Sequence, residues 1–209
     1  MEELLFHSIG VERLRILNDG DGVTTLAAGY GCPLRCRYCL NPQCFMRSRP
    51  KRTYTVEELL DEVRIDDLYF QATGGGIVFG GGEPLLQAQF IHAFRQAARP
   101  EWKFGLESSL AVDASLLELV LRDIDFYIID IKDMDPQIYK AYTGRDNDSL
   151  MRNLAILADA VDPEKVTLRI PLIPGYNTED DQQQSMAKLR QMGFGQFDCF
   201  KYTIRETGP

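Results

Sequence analysis

A chain of 209 residues, 44% hydrophobic and 26% charged, is long enough for one sizeable core and has the make-up of a folded globular domain. Its net charge of −8 argues against nucleic acid as a main partner, because phosphate binding needs a basic surface. No apolar run approaches the roughly 20 residues of a membrane helix, and the first residues lack a signal peptide's basic start and apolar stretch, so a cytoplasmic protein with no membrane partner is expected.

Apolar and amphipathic runs alternate along the chain. Val23–Ala28 reads as a first strand. Val56–Val63 predicts a helix, with Thr55 as N-cap and Glu58 completing a capping box. A short buried strand is expected over Ile77–Phe79 and a helix over Leu85–Ala98. Lys103–Leu106 predicts the next strand and Asp113–Leu121 the helix after it. Phe126–Ile131 is strand-like, and Asn147–Ala160 is helical with Asp148 and Ser149 as competing caps. Val166–Leu172, Glu179–Met192 and Phe197–Phe200 then predict strand, helix and last strand. Roughly six β/α units in a single domain over residues 1–209 predict an α/β fold with a parallel sheet or a partial barrel. In such folds the chemistry sits in the loops that follow the strands. The cysteine loop, Gly80–Pro84, Glu107–Ser109, Asp130–Lys132 and Pro174–Asn177 all fall there, whereas Gly74–Gly76 reads as a tight turn.

Cys32, Cys36 and Cys39 lie within eight residues, a spacing that points to metal binding. Three thiolates on one loop hold three corners of an iron–sulfur cubane and leave one iron open, the arrangement of a catalytic centre. Structural zinc normally needs a second cysteine knuckle, which is missing; His7 or His92 would have to complete it. From Gly22 to Val56 the chain has no Asp or Glu but carries Arg35, Arg37, Arg47, Arg49, Lys51 and Arg52. That stretch is either a solvated basic loop or a docking patch for an acidic partner.

The segment Gly31-Cys-Pro-Leu-Arg-Cys-Arg-Tyr-Cys-Leu-Asn-Pro42 resembles the signature loop of radical S-adenosylmethionine (SAM) enzymes. Its trailing Asn41-Pro42 is similar to the form found in glycyl-radical-enzyme activating enzymes such as the pyruvate formate-lyase activase. Gly74-Gly-Gly-Ile-Val-Phe-Gly-Gly-Gly-Glu-Pro-Leu-Leu86, Asp130-Ile-Lys132 and Arg169-Ile-Pro-Leu-Ile-Pro-Gly-Tyr-Asn177 follow in the family's order, after His7-Ser8-Ile9 and Asp21-Gly22-Val23. The resemblance implies a partial (β/α)6 radical SAM barrel with one [4Fe–4S] cluster on Cys32, Cys36 and Cys39, its open iron chelated by the methionine end of SAM. It further implies that Gly80, Gly81, Gly82 and Glu83 receive the SAM ammonium, Glu83 as a charged acceptor. Asp130 and Lys132 are expected at the methionine and ribose, Arg169 and Pro171 on the adenosine side, and Tyr38 beside the adenine or else packed in the core. Glu107 and Ser108, with Asp130 near by, stand where some members hold a monovalent cation.

Where activases usually read Pro-Tyr-His, this chain reads Phe200-Lys-Tyr-Thr-Ile204, leaving Lys201 or Thr203 as substitutes for the ribose histidine. The 40 residues between Cys39 and Gly80 include only Cys44, so no ferredoxin-like insertion is expected, and Cys44 and Cys199 read as bystanders, with Cys44 a stand-in ligand for the open iron when SAM is absent. The family's reaction is reductive cleavage of SAM to a 5′-deoxyadenosyl radical, here expected to take a hydrogen from a glycine Cα of a partner glycyl radical enzyme. Flavodoxin or ferredoxin is the expected electron donor. Another peptide or a small molecule is the alternative substrate, and a non-enzymatic cluster- or zinc-binding redox sensor is the remote alternative.

Overall fold

Period-two burial is plain on the strand Val166–Leu172, where Val166, Leu168 and Ile170 are buried and the intervening Thr167 and Arg169 are half-buried. Such a strand presents its apolar side chains to one layer and its polar ones to the other. The computed structural model describes residues 3–16, 19–45 and 50–203, and within them eight strands form one sheet.

The eight strands are β1 (Phe6–Ile16), β2 (Val23–Gly29), β3 (Arg52–Tyr54), β4 (Gly76–Gly81), β5 (Lys103–Ser108), β6 (Phe126–Asp130), β7 (Val166–Leu172) and β8 (Gln196–Lys201). Their order is β3-β1-β2-β4-β5-β6-β7-β8. From β2 to β8 every pair is parallel, while β1 runs antiparallel to both β2 and β3. Among the described residues seven helices accompany them: α1 (Val56–Arg64), α2 (Asp67–Thr73), α3 (Ala88–Ala97), α4 (Ala114–Val120), α5 (Pro136–Thr143), α6 (Asp148–Ala160) and α7 (Glu179–Gln191). Six parallel strands with helical crossovers, open between β3 and β8, make the expected partial (β/α)6 barrel, extended by an antiparallel pair at one edge.

Between sheet and helices lies the main core, built on Phe79, Phe94, Phe104, Leu106, Ile129 and Leu168. Phe79 meets Phe94 edge-on, with centroids 5.6 Å apart. The opposite, concave face has only a small apolar cluster of Leu26, Ala28 and Val78, with Ile9 and Phe126 against it. Glu107, Asp130, Thr167 and Arg169 also stand on that face, and they matter for the site.

The capping box of α1 forms as expected: Glu58 N donates to Thr55 Oγ1 at 3.2 Å, and Thr55 N donates to Glu58 Oε2 at 2.8 Å. The glycine turn also appears, with Gly74 closing α2 in the left-handed region at φ +71°. Two expectations are corrected. Residues Pro84–Gln87 form a 3-10 turn before α3, because Pro84 and the Glu83 cap start a tighter turn. The N-cap position of α6 is Asn147, without a side-chain cap bond, rather than Asp148 or Ser149.

Candidate functional site

The cysteine loop leaves β2 and is hung on the last turn of α5. Arg35 N donates to Thr143 O at 2.8 Å and Arg37 N to Tyr142 O at 3.2 Å, so carbonyls left free at the helix end carry the loop. Leu34, 1% exposed, anchors it in the core. The Arg35 side chain, exposed, folds back over the loop, donating to Cys32 O at 2.6 Å and Leu34 O at 2.7 Å, and lies over the Phe45 ring. Arg35 therefore braces the loop. Cys32, Cys36 and Cys39 are free, half-buried thiols. Burial pushes the Cys32 thiol up to about 12, with the neighbouring Glu83 adding to the effect. Burial also raises Cys36 and Cys39, while the Lys132 ammonium pulls both down.

The glycine loop is stitched to the cysteine loop. Gly82 N donates to Gly29 O at 3.0 Å, Glu83 N to Gly31 O at 2.8 Å, and Asn41 Nδ2 to Gly81 O at 2.9 Å. Gly81 has φ +90°, and a Cβ on Gly82 would lie 2.2 Å from Gly31 O, so the close approach of the loops demands glycine at both places. Gly80, the first of the three, pairs in register with Ala28.

The expected role of Glu83 is to present its carboxylate to an ammonium. It is instead fully buried, and its oxygens are taken by four protein donors. Oε1 accepts from Ser108 Oγ at 2.7 Å and Leu85 N at 3.3 Å; Oε2 accepts from Ser109 N at 3.0 Å and Ser109 Oγ at 2.6 Å. These four bonds fill a carboxylate's usual capacity, so Glu83 ties the turn after β4 to the turn after β5.

On the concave face the structure brings Glu107, Asp130, Lys132 and Arg169 together. Lys132 Nζ lies 3.1 Å from Asp130 Oδ2. Burial alone would lower the Lys132 ammonium, but the charges of Asp130 and Cys36 outweigh it and hold it above its ordinary value. Arg169 pairs with Glu107, with Asp198 at 3.6 Å and with Asp19 at 4.0 Å. Burial, then the charge of Asp130, push Glu107 above the usual carboxylate range against the pull of Arg169. Ser108 does not join them. As the next residue on β5 it points to the opposite face, toward Glu83, and the trio expected for a monovalent cation is split by strand periodicity.

Tyr38 packs among Tyr142, Tyr176 and Tyr202, with ring centroids 6.1, 5.9 and 6.2 Å away, and its hydroxyl donates to Pro174 O at 3.4 Å. Tyr202, between the two expected histidine substitutes, is the residue that reaches the cysteine loop: its hydroxyl donates to the carbonyl of Tyr38. Lys201 and Thr203 are exposed. Pro171 is buried, and its carbonyl accepts from Asn177 Nδ2 at 3.1 Å. Asn177 also donates to Asp133 and accepts from Ile173 N, so the motif's last residue fixes the turn after β7.

Cys44 is buried, with its thiol directed at Gly29 O, and Cys199 is exposed beside Met186. His7 pairs with Thr53, and His92 with Asp123 at 2.7 Å. Among the described residues, no three His, Cys, Asp or Glu side chains gather as ligands of a single metal ion. Tyr142, Tyr202, Ser109 and Asn41 have no such roles in the sequence reading. Of the four, Asn41 carries a signal, through the Asn-Pro that follows the third cysteine.

Residues 27–183 match the Radical SAM superfamily. The chain is 32% identical over 240 residues to the (2S)-3-sulfopropanediol dehydratase activating enzyme of Klebsiella oxytoca, covering 85% of this chain and 75% of that one. It is 32% identical over 185 residues to the pyruvate formate-lyase-activating enzyme of Staphylococcus aureus strain USA300, covering 84% and 71%. Among solved structures, SuiB of Streptococcus suis bound to S-adenosylmethionine superposes with a TM-score of 0.67 at 13% identity, over 87% of this chain and 41% of SuiB. Histidine-tagged anSMEcpe with bound AdoMet gives 0.63 at 16% identity, over 87% and 52%. The chain spans about half or less of those two longer structures, whose likeness speaks to the fold. With the family matched over most of its length and the activating enzymes similar in sequence, this chain belongs to the radical SAM superfamily.

Proposed function

We propose that the chain holds one [4Fe–4S] cluster on Cys32, Cys36 and Cys39, binds SAM beside it, and installs a glycyl radical on a partner glycyl radical enzyme. The observation that carries this reading is the stitching of the cysteine loop to the glycine loop through Asn41, Gly82 and Glu83, beside the Asp130–Lys132 pair. The donor set suits the cluster: three free, half-buried thiols on one loop, of which Cys36 and Cys39 feel the ammonium of Lys132. Cys32, Cys36 and Cys39 would hold the cluster, which would supply the one electron needed for reductive cleavage of SAM and so the means of taking a hydrogen atom from the substrate.

The chain's own residues bind and orient. Carbonyls of Gly80–Gly82 are the acceptors offered to the SAM ammonium, since the carboxylate of Glu83 is already spent. Lys132, kept charged by Asp130, donates to a carboxylate, and Asp130 accepts from an ammonium or a ribose hydroxyl. Tyr38, within its tyrosine cluster, offers a flat apolar edge for adenine. Arg169 stands on the concave face for the adenosine side, steadied by Glu107 and Asp198. No side-chain acid or base is required for hydrogen-atom transfer.

The test is 5′-deoxyadenosine formation by the anaerobically reconstituted protein with dithionite and SAM, beside Cys36→Ala. Formation by the wild type alone supports SAM cleavage; none from an iron-loaded wild type overturns it. A glycyl radical signal on a candidate partner then separates the activating-enzyme reading from action on another peptide or a small molecule.

For the electron donor, an acidic flavodoxin or ferredoxin suits the basic stretch around the cysteines. Arg37, Lys51 and Arg52 of that stretch are exposed; Arg47 and Arg49 lie outside the described residues. Arg47→Glu with Arg49→Glu should slow flavodoxin-driven turnover and leave dithionite-driven turnover unchanged; equal loss with both donors would sink the assignment.

A further inference from the structure

Among the described residues, three buried side-chain polar atoms have no hydrogen-bond partner: Thr24 Oγ1, Asn153 Oδ1 and the Tyr139 hydroxyl. A buried hydroxyl that has given up water without gaining a partner costs free energy, and a native structure keeps one only where something else compensates. Asn153 still uses its amide nitrogen, donating to Leu110 O and Val112 O. Tyr139 has no such second use for its oxygen.

Tyr139 is 1% exposed and lies on α5, the helix that carries the cysteine loop. Thr143 Oγ1 donates to Tyr139 O at 2.8 Å, and one turn on, Tyr142 O and Thr143 O receive Arg37 N and Arg35 N. The element that fixes the height of Cys36 therefore also fixes the phenol. Cys32 and Cys36 pack against the same core cluster that contains Tyr139. Cys36, Lys132, Glu83 and Cys32 are the charged or ionisable groups acting on its hydroxyl, and the carboxylate of Glu83 already has its four donors. The phenol makes no bond to any of the three thiols and has its donor unspent.

We propose that the Tyr139 hydroxyl donates a hydrogen bond to a sulfur of the iron–sulfur group held by Cys32, Cys36 and Cys39, and so sets its reduction potential. The inference rests on the cluster reading above. A donor on a cluster sulfur stabilises the more electron-rich, reduced form and raises the potential; its removal lowers the potential.

Tyr139→Phe keeps the ring and deletes only the oxygen. Two readouts test it. In an anaerobic, EPR-monitored redox titration, the variant should load the same iron and sulfide as wild type yet titrate at a lower potential, with and without SAM. In thermal melts the sign should reverse with loading. The cluster-free variant should melt higher than cluster-free wild type, because an unpaired hydroxyl is gone, and the loaded variant lower, because a bond is lost. Equal potentials at equal loading would overturn the inference, as would a shift seen only with SAM present, which would give the hydroxyl to SAM. A wild type that takes up no cluster at all would instead refute the underlying reading.

Discussion

Asn41 Nδ2 donates to the carbonyl of Gly81 at 2.9 Å, and through that one bond the residue two past the third cysteine holds the glycine loop of the next β/α unit. Two motifs 40 residues apart in the chain become one surface at this contact, because β2 and β4 are parallel neighbours with Gly29 opposite Gly81.

Asn41→Ala removes a neutral hydrogen bond worth about 1 kcal/mol. SAM affinity is expected to fall roughly five-fold on that account, while iron loading stays at the wild-type level. A SAM titration of the loaded protein with iron assayed in parallel checks both. Unchanged affinity would mean that the backbone bonds from Gly82 N and Glu83 N hold the loops without help from Asn41.

Glu83→Gln exchanges two acceptor oxygens for one oxygen and a donor. The hydroxyls of Ser108 and Ser109 can turn to meet the new amide, but each carboxylate oxygen also takes a backbone N–H, from Leu85 or from Ser109, so whichever way the amide turns one buried donor is left facing another. A loss of roughly 1–3 kcal/mol in unfolding free energy is expected, read from the urea midpoint of the cluster-free chain. If the midpoint holds and only SAM binding fails, the carboxylate serves the ligand rather than the two turns.

Much of this arrangement is legible in the sequence because local signals and tertiary structure agree. The Thr55–Glu58 box starts α1, the apolar runs of β4 to β7 fall in place, and the loops after them collect on one face. Elements whose exposure breaks the pattern are not legible. α2 leaves Leu68 75% and Tyr69 49% exposed, so no amphipathic stripe marks it, and β1 is bulged and has no buried residue beyond Ser8. α5 carries Asp135-Pro136 at its start and Gly144 at its end, standard boundary residues that a short helix leaves easy to overlook. Ser108 shows the opposite case: the period of two is available and places it on the far side of β5 from Glu107, yet a motif match sets the two side by side.

Titration of Glu107 should mark the stability profile of the cluster-free chain. Burial, then Asp130, raise this carboxyl above its ordinary 4.5, with Arg169 opposing. The folded chain therefore keeps a proton that the unfolded chain has released, and stability is lost as pH rises from the ordinary value through the raised one. Asp113, exposed, and Asp181, half-buried, are both lowered from 3.8 and act in the opposite sense, only at more acid pH. Glu107→Gln is expected to flatten the fall in melting temperature above about pH 4.5; an unaltered slope would assign the fall to other buried acids such as Asp133.

Cys32 should betray its burial in its reactivity. With its thiol pushed up to about 12, chiefly by burial and then by Glu83, the cluster-free protein holds it protonated at neutral pH. The nucleophile is the thiolate, so alkylation of Cys32 should quicken about ten-fold per pH unit and keep rising past about pH 9, where an ordinary thiol levels off. Peptide mapping after timed iodoacetamide pulses resolves Cys32 from exposed Cys199. Loading a cluster must strip that proton, so reconstitution should release acid and proceed further at higher pH. A Cys32 rate that flattens near the ordinary thiol range, about pH 9, would show that Glu83 and burial do not govern the thiol in solution.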